Sequence, residues 1–559
     1  MEHIRLMLAV VLSVLVLLVW QVFFIGSPEA PVGPDGAPVA PAQEAAAPSN
    51  PAAGDAALPR ENAPPEQAAP ADSALVPTEA PAAPVVVETG LYTVTLNGNG
   101  AHISDFVLKN YRETNDPASP AKRLLSDNNP LGSLRVNLEG DTLAGMANGP
   151  YSADVADGPV VVSGQPRSVV FTRQFPGGRV VEKRYTFTPD SYMIDLAITL
   201  KNGSETPLSG NLAVTLARYF TDDGSRFVFE GPSALVGHDL EEIKLSDIHK
   251  KASLTGPLAW ISIQNRYFMS ALIPEAPTEA AMRLSRTPEQ VVTATYLAPA
   301  RTVGANSTET YRFSVFMGPK SVQILGKAGH DLDRAVNFGF FDFIARPCLW
   351  LMNFLYRYIP NYGIAIVIIT LLFKLVFWPL GNKSYKSMAE MKRLAPLMAE
   401  IREKYKDDRK KMNEEVMNLY RTYKINPLGG CLPILVQIPV FFAFYRMLYQ
   451  AIELRHAPFF GWINDLSAPD RLFHFDVSLP LIAPPVGIPV LTIVMGATMI
   501  IQQKLQPPMG DPTQAKIMML MPVFFTFIFI NFPSGLVLYW LVNNTISIFQ
   551  QYYITRKNV

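Results

Sequence analysis

The sequence predicts an α-helical polytopic membrane protein that carries a large extracytoplasmic β-sandwich. Three observations predict it. Apolar runs long enough to cross a bilayer crowd the part after residue 350. The part before them is built of short runs with period-two alternation. Lys and Arg are concentrated in a few of the connecting loops, which gives the chain an orientation in the membrane. Over 559 residues Lys+Arg and Asp+Glu balance at 48 each, so bulk charge argues against nucleic-acid recognition.

Leu6–Ile25 is an almost unbroken apolar run after His3 and Arg5. The core of a cleaved signal peptide is about 7–15 residues, whereas a bilayer takes about 20. Trp20–Ile25 is bulky and offers no small-residue cleavage site. Residues 1–26 are therefore expected to be an uncleaved transmembrane signal anchor. Residues 27–84 are dominated by Ala and Pro and hold no aromatic residue. Such a stretch cannot bury enough apolar surface to offset its ordering entropy, and reads as a disordered, partly polyproline-like tether.

Residues 85–325 read as the β-sandwich. Leu91–Leu96, Ser168–Phe175, Val180–Phe187, Tyr192–Leu200, Asn211–Ala217, Ala259–Ile263 and Thr310–Phe316 alternate β-branched or aromatic residues with polar ones. Asn97-Gly98 and Asn202-Gly203 supply turn chemistry. The region has no cysteine and must fold without disulfides. In residues 326–350, charged residues interleave with Leu332, Val336, Phe338, Phe340, Phe341 and Phe343. An amphipathic helix lying in the membrane interface is expected there; an ordinary connecting helix is the plainer alternative.

Residues 351–559 hold five further spans: Leu351–Leu380, Cys431–Tyr449, Ile488–Ile501 (extending toward Leu505), Ile517–Phe532 and Leu536–Tyr552. Six spans in all place both termini on one side. The segment Gly381–Ile425 is strongly basic, and Lys504, Lys516, Arg556, Lys557 and Arg5 fall on its side. By the positive-inside rule that side is cytoplasmic, and the β-sandwich lies outside. The helical spacing of Met388, Met391, Leu394, Met398, Ile401, Met412, Val416, Leu419 and Tyr420, interrupted at Pro396 and Asp407-Asp408, predicts a cytoplasmic helical hairpin. Cys348 and Cys431 flank different spans on opposite faces, so no bridge joins them.

Lys374 sits inside the apolar run IAIVIITLLFKLVFWPL, Ile364–Leu380. A charge at bilayer depth costs at least about 2.5 kcal/mol even on lenient scales. Such a lysine either snorkels to the headgroups or faces a hydrated interior. Thr370 lies one turn away on the same face. Gln437, Gln502, Gln503, Asn543 and Asn544 bring polar groups into three other spans. They read either as interhelical hydrogen bonds or as the lining of a hydrophilic groove. The spans' apolar cores contain no acidic residue, which disfavours a proton relay. Met388, Met391, Met398, Met412, Met417, Met518, Met519 and Met521 give the hairpin and fifth span an adaptable apolar surface, or ordinary packing. The sequence has no nucleotide-binding loop, no zinc or hydrolase motif and no cysteine cluster, so neither an enzyme nor a cofactor is expected.

Asn426–Pro439 (NPLGGCLPILVQIP), Asn361–Pro379, Ala457–Ser467 (APFFGWINDLS), Asp511–Phe532 and Phe532–Trp540 (FPSGLVLYW) resemble the YidC family of membrane protein insertases in its long Gram-negative form. The preceding regions match it in layout, with a weaker local match over Trp260–Pro274. The resemblance implies a five-helix insertase core around a hydrophilic groove that is open to cytoplasm and lipid and closed outward. It also implies a supersandwich-like β-domain similar to mutarotase folds. The groove would be lined by Lys374, Thr370, Gln437, Gln502, Gln503, Tyr539, Trp540, Asn543 and Asn544. The family's groove cation is usually arginine; lysine keeps the charge and loses the bidentate geometry. Implied partners are nascent membrane proteins, the Sec translocon, the lipid bilayer and, weakly through the cytoplasmic loops, the ribosome. The implied place is the inner membrane. A small-solute transporter would need internal repeats or broken helices, and a membrane-anchored periplasmic carbohydrate-active protein would need a carboxylate or His pair in the β-domain. Neither pattern is seen.

Overall fold

The computed structural model describes residues 83–557 except 126–127, 141–142, 156–157, 222–227, 424–431, 476, 478–485 and 507–511. The expected anchor, nearly all of the tether, Cys431 and the start of the 426–439 run lie outside the described residues.

Residues 85–319 form a domain rich in antiparallel sheets. Alternation explains the strands. In Tyr92–Asn97, Tyr92, Val94 and Leu96 are buried while the residues between them are not. A five-stranded sheet runs Ala121–Arg123, His102–Arg112, Tyr92–Asn97, Val85–Glu88, Val160–Val161, the last pair parallel. A fourteen-stranded sheet carries the rest. Its centre is the long strand Ser307–Pro319, paired on one side with Met193–Asn202 and on the other with Phe268–Pro274. Phe268–Pro274 is buried at every position, as a strand covered on both faces must be. Trp260, Phe106, Phe171, Phe187 and Phe316 are fully buried in one common core. Two polar side chains tie the sheets together. Lys183 Nζ donates to the Gly100 carbonyl at 2.6 Å, and Tyr185 OH to that of Ala101 at 2.7 Å.

Nine α-helices follow among the described residues: α1 (Val322–Ala328), α2 (Asp342–Tyr358), α3 (Tyr362–Arg393), α4 (Ala395–Lys404), α5 (Arg409–Thr422), α6 (Leu432–Gln450), α7 (Val490–Leu505), α8 (Pro512–Phe529) and α9 (Ser534–Lys557). Two expected boundaries move. Residues 326–350 are not one helix: Gly329, His330 and Asp331 take positive φ, and short 3-10 turns lead into α2. The expected span Leu351–Leu380 is divided at Ile359-Pro360. Proline lacks the N–H a continuing helix needs and pushes its predecessor toward extended backbone, and Ile359 has ψ 96°. Asn361 then starts α3, its side chain accepting from the Ile364 N–H at 3.1 Å.

The helices are apolar on the outside. Leu375 and Val376 of α3 are 64% and 71% exposed, and Met519 and Leu520 of α8 are 63% and 65% exposed. Among the described residues α3 alone is long and apolar enough to cross a membrane by itself; α7 and Met518–Phe529 are shorter apolar helices. The two halves of the described chain are stitched at one end of the bundle. Arg266 Nε donates to the Tyr449 carbonyl at 2.6 Å while its guanidinium lies over the Tyr449 ring at 4.1 Å. Arg455 Nη2 donates to the Arg112 carbonyl at 2.6 Å, and Ser321 Oγ to Glu453 Oε1 at 3.1 Å. Burial pushes the Glu453 carboxyl above its ordinary range. This is the β-domain end of the bundle; α4 and α5 mark the hairpin end.

Candidate functional site: a polar cavity inside the helical bundle

Helical periodicity sets the site. In α3 the residues Lys374, Phe377, Gly381, Ser384, Tyr385 and Met388 recur every three or four positions and form one stripe. In α9 the stripe is Trp540, Asn543, Asn544, Ser547 and Gln550. These stripes face each other across a cavity of about 780 Å³, closed by Gln437 and Phe441 of α6, Met499, Gln502 and Gln503 of α7, and Met518, Met521 and Phe525 of α8.

The polar groups inside are joined helix to helix. Lys374 Nζ donates to Ser547 Oγ at 2.7 Å, and that hydroxyl donates in turn to the Asn543 carbonyl at 2.7 Å. Gln437 Nε2 donates to Asn543 Oδ1 at 3.2 Å, and Asn544 Nδ2 to Thr498 Oγ1 at 3.4 Å. Gln550 Nε2 clasps α3 through the Trp378 carbonyl at 3.2 Å and Asn382 Oδ1 at 2.9 Å. Lys374 forms no ion pair among the described residues. Its ammonium has three donors and one accepting hydroxyl here, which leaves capacity directed at the cavity.

Most of the sequence-derived candidates come together here: Lys374, Gln437, Gln502, Gln503, Tyr539, Trp540, Asn543 and Asn544 all line the cavity. Thr370 does not. It is 1% exposed and donates back to the Ile366 carbonyl at 2.7 Å. A threonine hydroxyl inside a helix readily satisfies itself in that way. Sequence reading missed Ser547, Gln550, Tyr385 and Arg402. Ser547 and Gln550 continue the Asn543–Asn544 stripe by helical steps, and extending that stripe would have found them.

The two ends of the cavity differ. Toward the β-domain it stops at an aromatic cluster: Phe529 lies 4.6 Å from Trp540 and 4.9 Å from Phe532, and Phe441 lies 4.8 Å from Trp540. Toward the hairpin the lining turns to thioethers, with Met388, Met391 and Met398 joined by Arg402 and Tyr420. Tyr420 OH reaches Met398 Sδ at 3.1 Å and fastens α5 to α4. Met417 and Met519 point away and are exposed. A flexible, polarisable lining fits apolar side chains of varied shape.

Residues 84–351 match the family model described as YidC periplasmic domain, and residues 354–559 the one described as 60Kd inner membrane protein. The membrane protein insertase YidC of Syntrophus aciditrophicus is 39% identical over 99% of both chains. That of Pelobacter propionicus is 40% identical, again over 99% of both. Among solved structures, an active YidC insertase with its first transmembrane domain resolved covers 84% of this chain and 92% of its own, at 20% identity and a TM-score of 0.37. A galactose mutarotase-like protein from Lactobacillus casei covers 42% of this chain and all of its own, at 13% identity and a TM-score of 0.28.

Proposed function

Because this chain belongs to the YidC family of membrane protein insertases, we propose that its polar cavity is the path along which polar segments of a nascent membrane protein are received. The protein is an inner-membrane insertase with a periplasmic domain, and not an enzyme. The observation that carries the proposal is the inversion of the bundle: amides, hydroxyls, the Lys374 ammonium and, at the hairpin end, the Arg402 guanidinium gather inside, while the outward faces of α3 and α8 are apolar.

In this reading water and the amides of Gln437, Asn543 and Asn544 shorten the apolar path a polar segment must cross. Lys374 attracts acidic residues of that segment. At 4 Å and an effective dielectric of 20 the attraction is about 4 kcal/mol. That offsets part of a carboxylate's desolvation and does not drive translocation unaided. The nascent span then leaves sideways into lipid, driven by burial of about 0.8 kcal/mol per methylene. The thioethers at the hairpin end meet the apolar segment first. Six membrane spans, with the anchor outside the described residues, put both termini and the hairpin 384–425 in the cytoplasm. They put the β-domain, read as a supersandwich, in the periplasm. Partnership with the Sec translocon, and weak ribosome contact through the cytoplasmic loops, belong to the same proposal.

The test is photocrosslinking from Gln502 and Met398 to a stalled nascent membrane protein. Strong adducts from both positions are expected. Adducts obtained only from the outward-facing Leu375 would refute the cavity as the path.

A further inference from the structure

The loop between α6 and α7 sends two adjacent charged residues to the β-domain end of the bundle, and neither lines the cavity. Asp470 is 3% exposed. Its Oδ1 accepts from Trp462 Nε1 at 2.6 Å. Its Oδ2 accepts from the backbone N–H groups of Leu491 and, at 3.4 Å, Thr492, in the first turn of α7. The N-cap position of α7 is Pro489, which has no side-chain acceptor, so Asp470 supplies the missing cap from elsewhere in the chain.

Arg471 turns the other way. Its Nη1 donates to the Ile530 carbonyl at 2.7 Å and to that of Asp470 at 2.9 Å, and its Nη2 to Asn531 Oδ1 at 3.3 Å. Ile530 directly follows the last residue of α8. An anion thus sits on the positive end of α7 and a cation on the negative end of α8, the two arrangements a helix dipole favours. The pair also holds together two helices that run close. A Cβ placed on Gly496 of α7 would lie 2.2 Å from Thr526 Oγ1 of α8. At its other end α7 is held by α9, since Gln551 Nε2 donates to the Leu505 carbonyl at 3.0 Å. The outward face of α8, with Leu520 and Phe524 largely exposed, has no protein packed on it among the described residues.

We propose that Asp470 and Arg471 are positioning residues for insertion: they pin the β-domain ends of α7 and α8. The wall formed by α8 then pivots about a fixed end and widens the cavity toward the hairpin. This rests on the cavity's being the substrate path, and adds the claim that the wall is hinged at its outer end. The pin keeps the aromatic cluster around Phe529 shut while a span leaves sideways.

The test compares the full-length protein in proteoliposomes with its Asp470→Ala, Asp470→Asn and Arg471→Ala variants, by hydrogen exchange, by insertion rate and by crosslinking from Gln502 to a stalled nascent chain. The alanine variants are expected to exchange at least about tenfold faster in the first turn of α7 and the last turn of α8, with the middle of α9 unchanged. Insertion is expected to slow severalfold while crosslinking persists, a split between binding and turnover that global destabilisation would not give. Asp470→Asn keeps a side-chain acceptor and loses the charge, so it is expected to fall between, and it serves if an alanine variant fails to fold. Wild-type exchange at both helix ends in Arg471→Ala and Asp470→Asn, with crosslinking intact, would overturn the pin and spare the path. Loss of crosslinking in the wild type itself would refute the path, and with it the pin's role in insertion.

Discussion

Lys183 in the β-domain and Lys374 in the helical bundle are both withdrawn from bulk water, and neither makes an ion pair among the described residues. Lys183 is fully buried between two sheets, on the Gly100 carbonyl and 4.7 Å from the centre of the Tyr151 ring. Burial, together with Arg173 and Arg135, pulls it down to about 7. It is 0% exposed and fully enclosed by its neighbours. Lys374 reaches its single hydroxyl partner at the edge of a cavity of about 780 Å³. The contrast extends to the regions around them. The β-domain buries Trp260, Phe171 and Phe316, and Lys183 is an exception among charged side chains that mostly stay at its surface. The bundle buries amides and exposes Leu375 and Leu520. The same physics, apolar surface leaving water, gives opposite arrangements because one half is solvated by water and the other by lipid.

The sharpest way to break this comparison is to reverse the charge in the bundle. Lys374→Glu is expected to slow insertion of substrates with acidic translocated segments by more than about tenfold, a change of about 1.4 kcal/mol or more. Substrates with neutral segments should be little affected, and Lys374→Arg should retain activity. An insertion assay with matched acidic and neutral substrates decides it, and equal rates for both with Lys374→Glu would make Lys374 a snorkelling residue.

A second test is a defect confined to the β-domain, read in stability rather than in insertion. Trp260→Ala removes a fully buried indole and should cost about 3–5 kcal/mol of that domain's stability. Insertion per molecule in the membrane should change much less. Denaturation followed alongside insertion in the same preparation checks this, and a parallel loss of both would mean the two halves work as one unit.

A smaller pH effect should come from Lys183 in the β-domain. The folded-state pKa of Lys183 lies below its ordinary 10.5, so between about pH 7 and 10.5 the unfolded chain binds the extra proton. Stability therefore rises with pH through that window, by up to about 2 kcal/mol between pH 7 and 9, and levels off below pH 7. Lys183→Met should remove this part of the slope, as chemical denaturation at pH 7 and 9 would reveal. The smallest expected effect is Asn543→Leu, which deprives Gln437 of its acceptor. A reduction of a few fold in insertion is expected, corresponding to about 1 kcal/mol for one neutral hydrogen bond. A drop as large as that of Lys374→Glu would show that amides, rather than the charge, dominate the path.

Much of the bundle was legible in the chain because a 3.6-residue period carries its own geometry. Lys374, Asn543 and Asn544 announce a polar interior without knowledge of their neighbours, and they do line one cavity. The helix break at Ile359-Pro360 was also written there, yet the high average hydropathy of Leu351–Leu380 concealed it, since hydropathy averages over residues and a break depends on one. Thr370 illustrates the opposite difficulty. Its spacing from Lys374 is right, but a hydroxyl has a local alternative in the Ile366 carbonyl, and spacing does not reveal which acceptor it takes.

By itself the sequence determined the succession of a strand-rich part and a helical part, and the presence of polar residues inside apolar spans, because alternation, helical period and charge bias are local properties of the chain. Only the tertiary structure decided the partners: Lys374 with Ser547, Lys183 with Gly100, Asp470 with the start of α7 and Arg471 with the end of α8. Each joins residues far apart in the chain. Which of many equally capable donors and acceptors meet is fixed by how whole sheets and helices pack, and no short window of sequence contains that information.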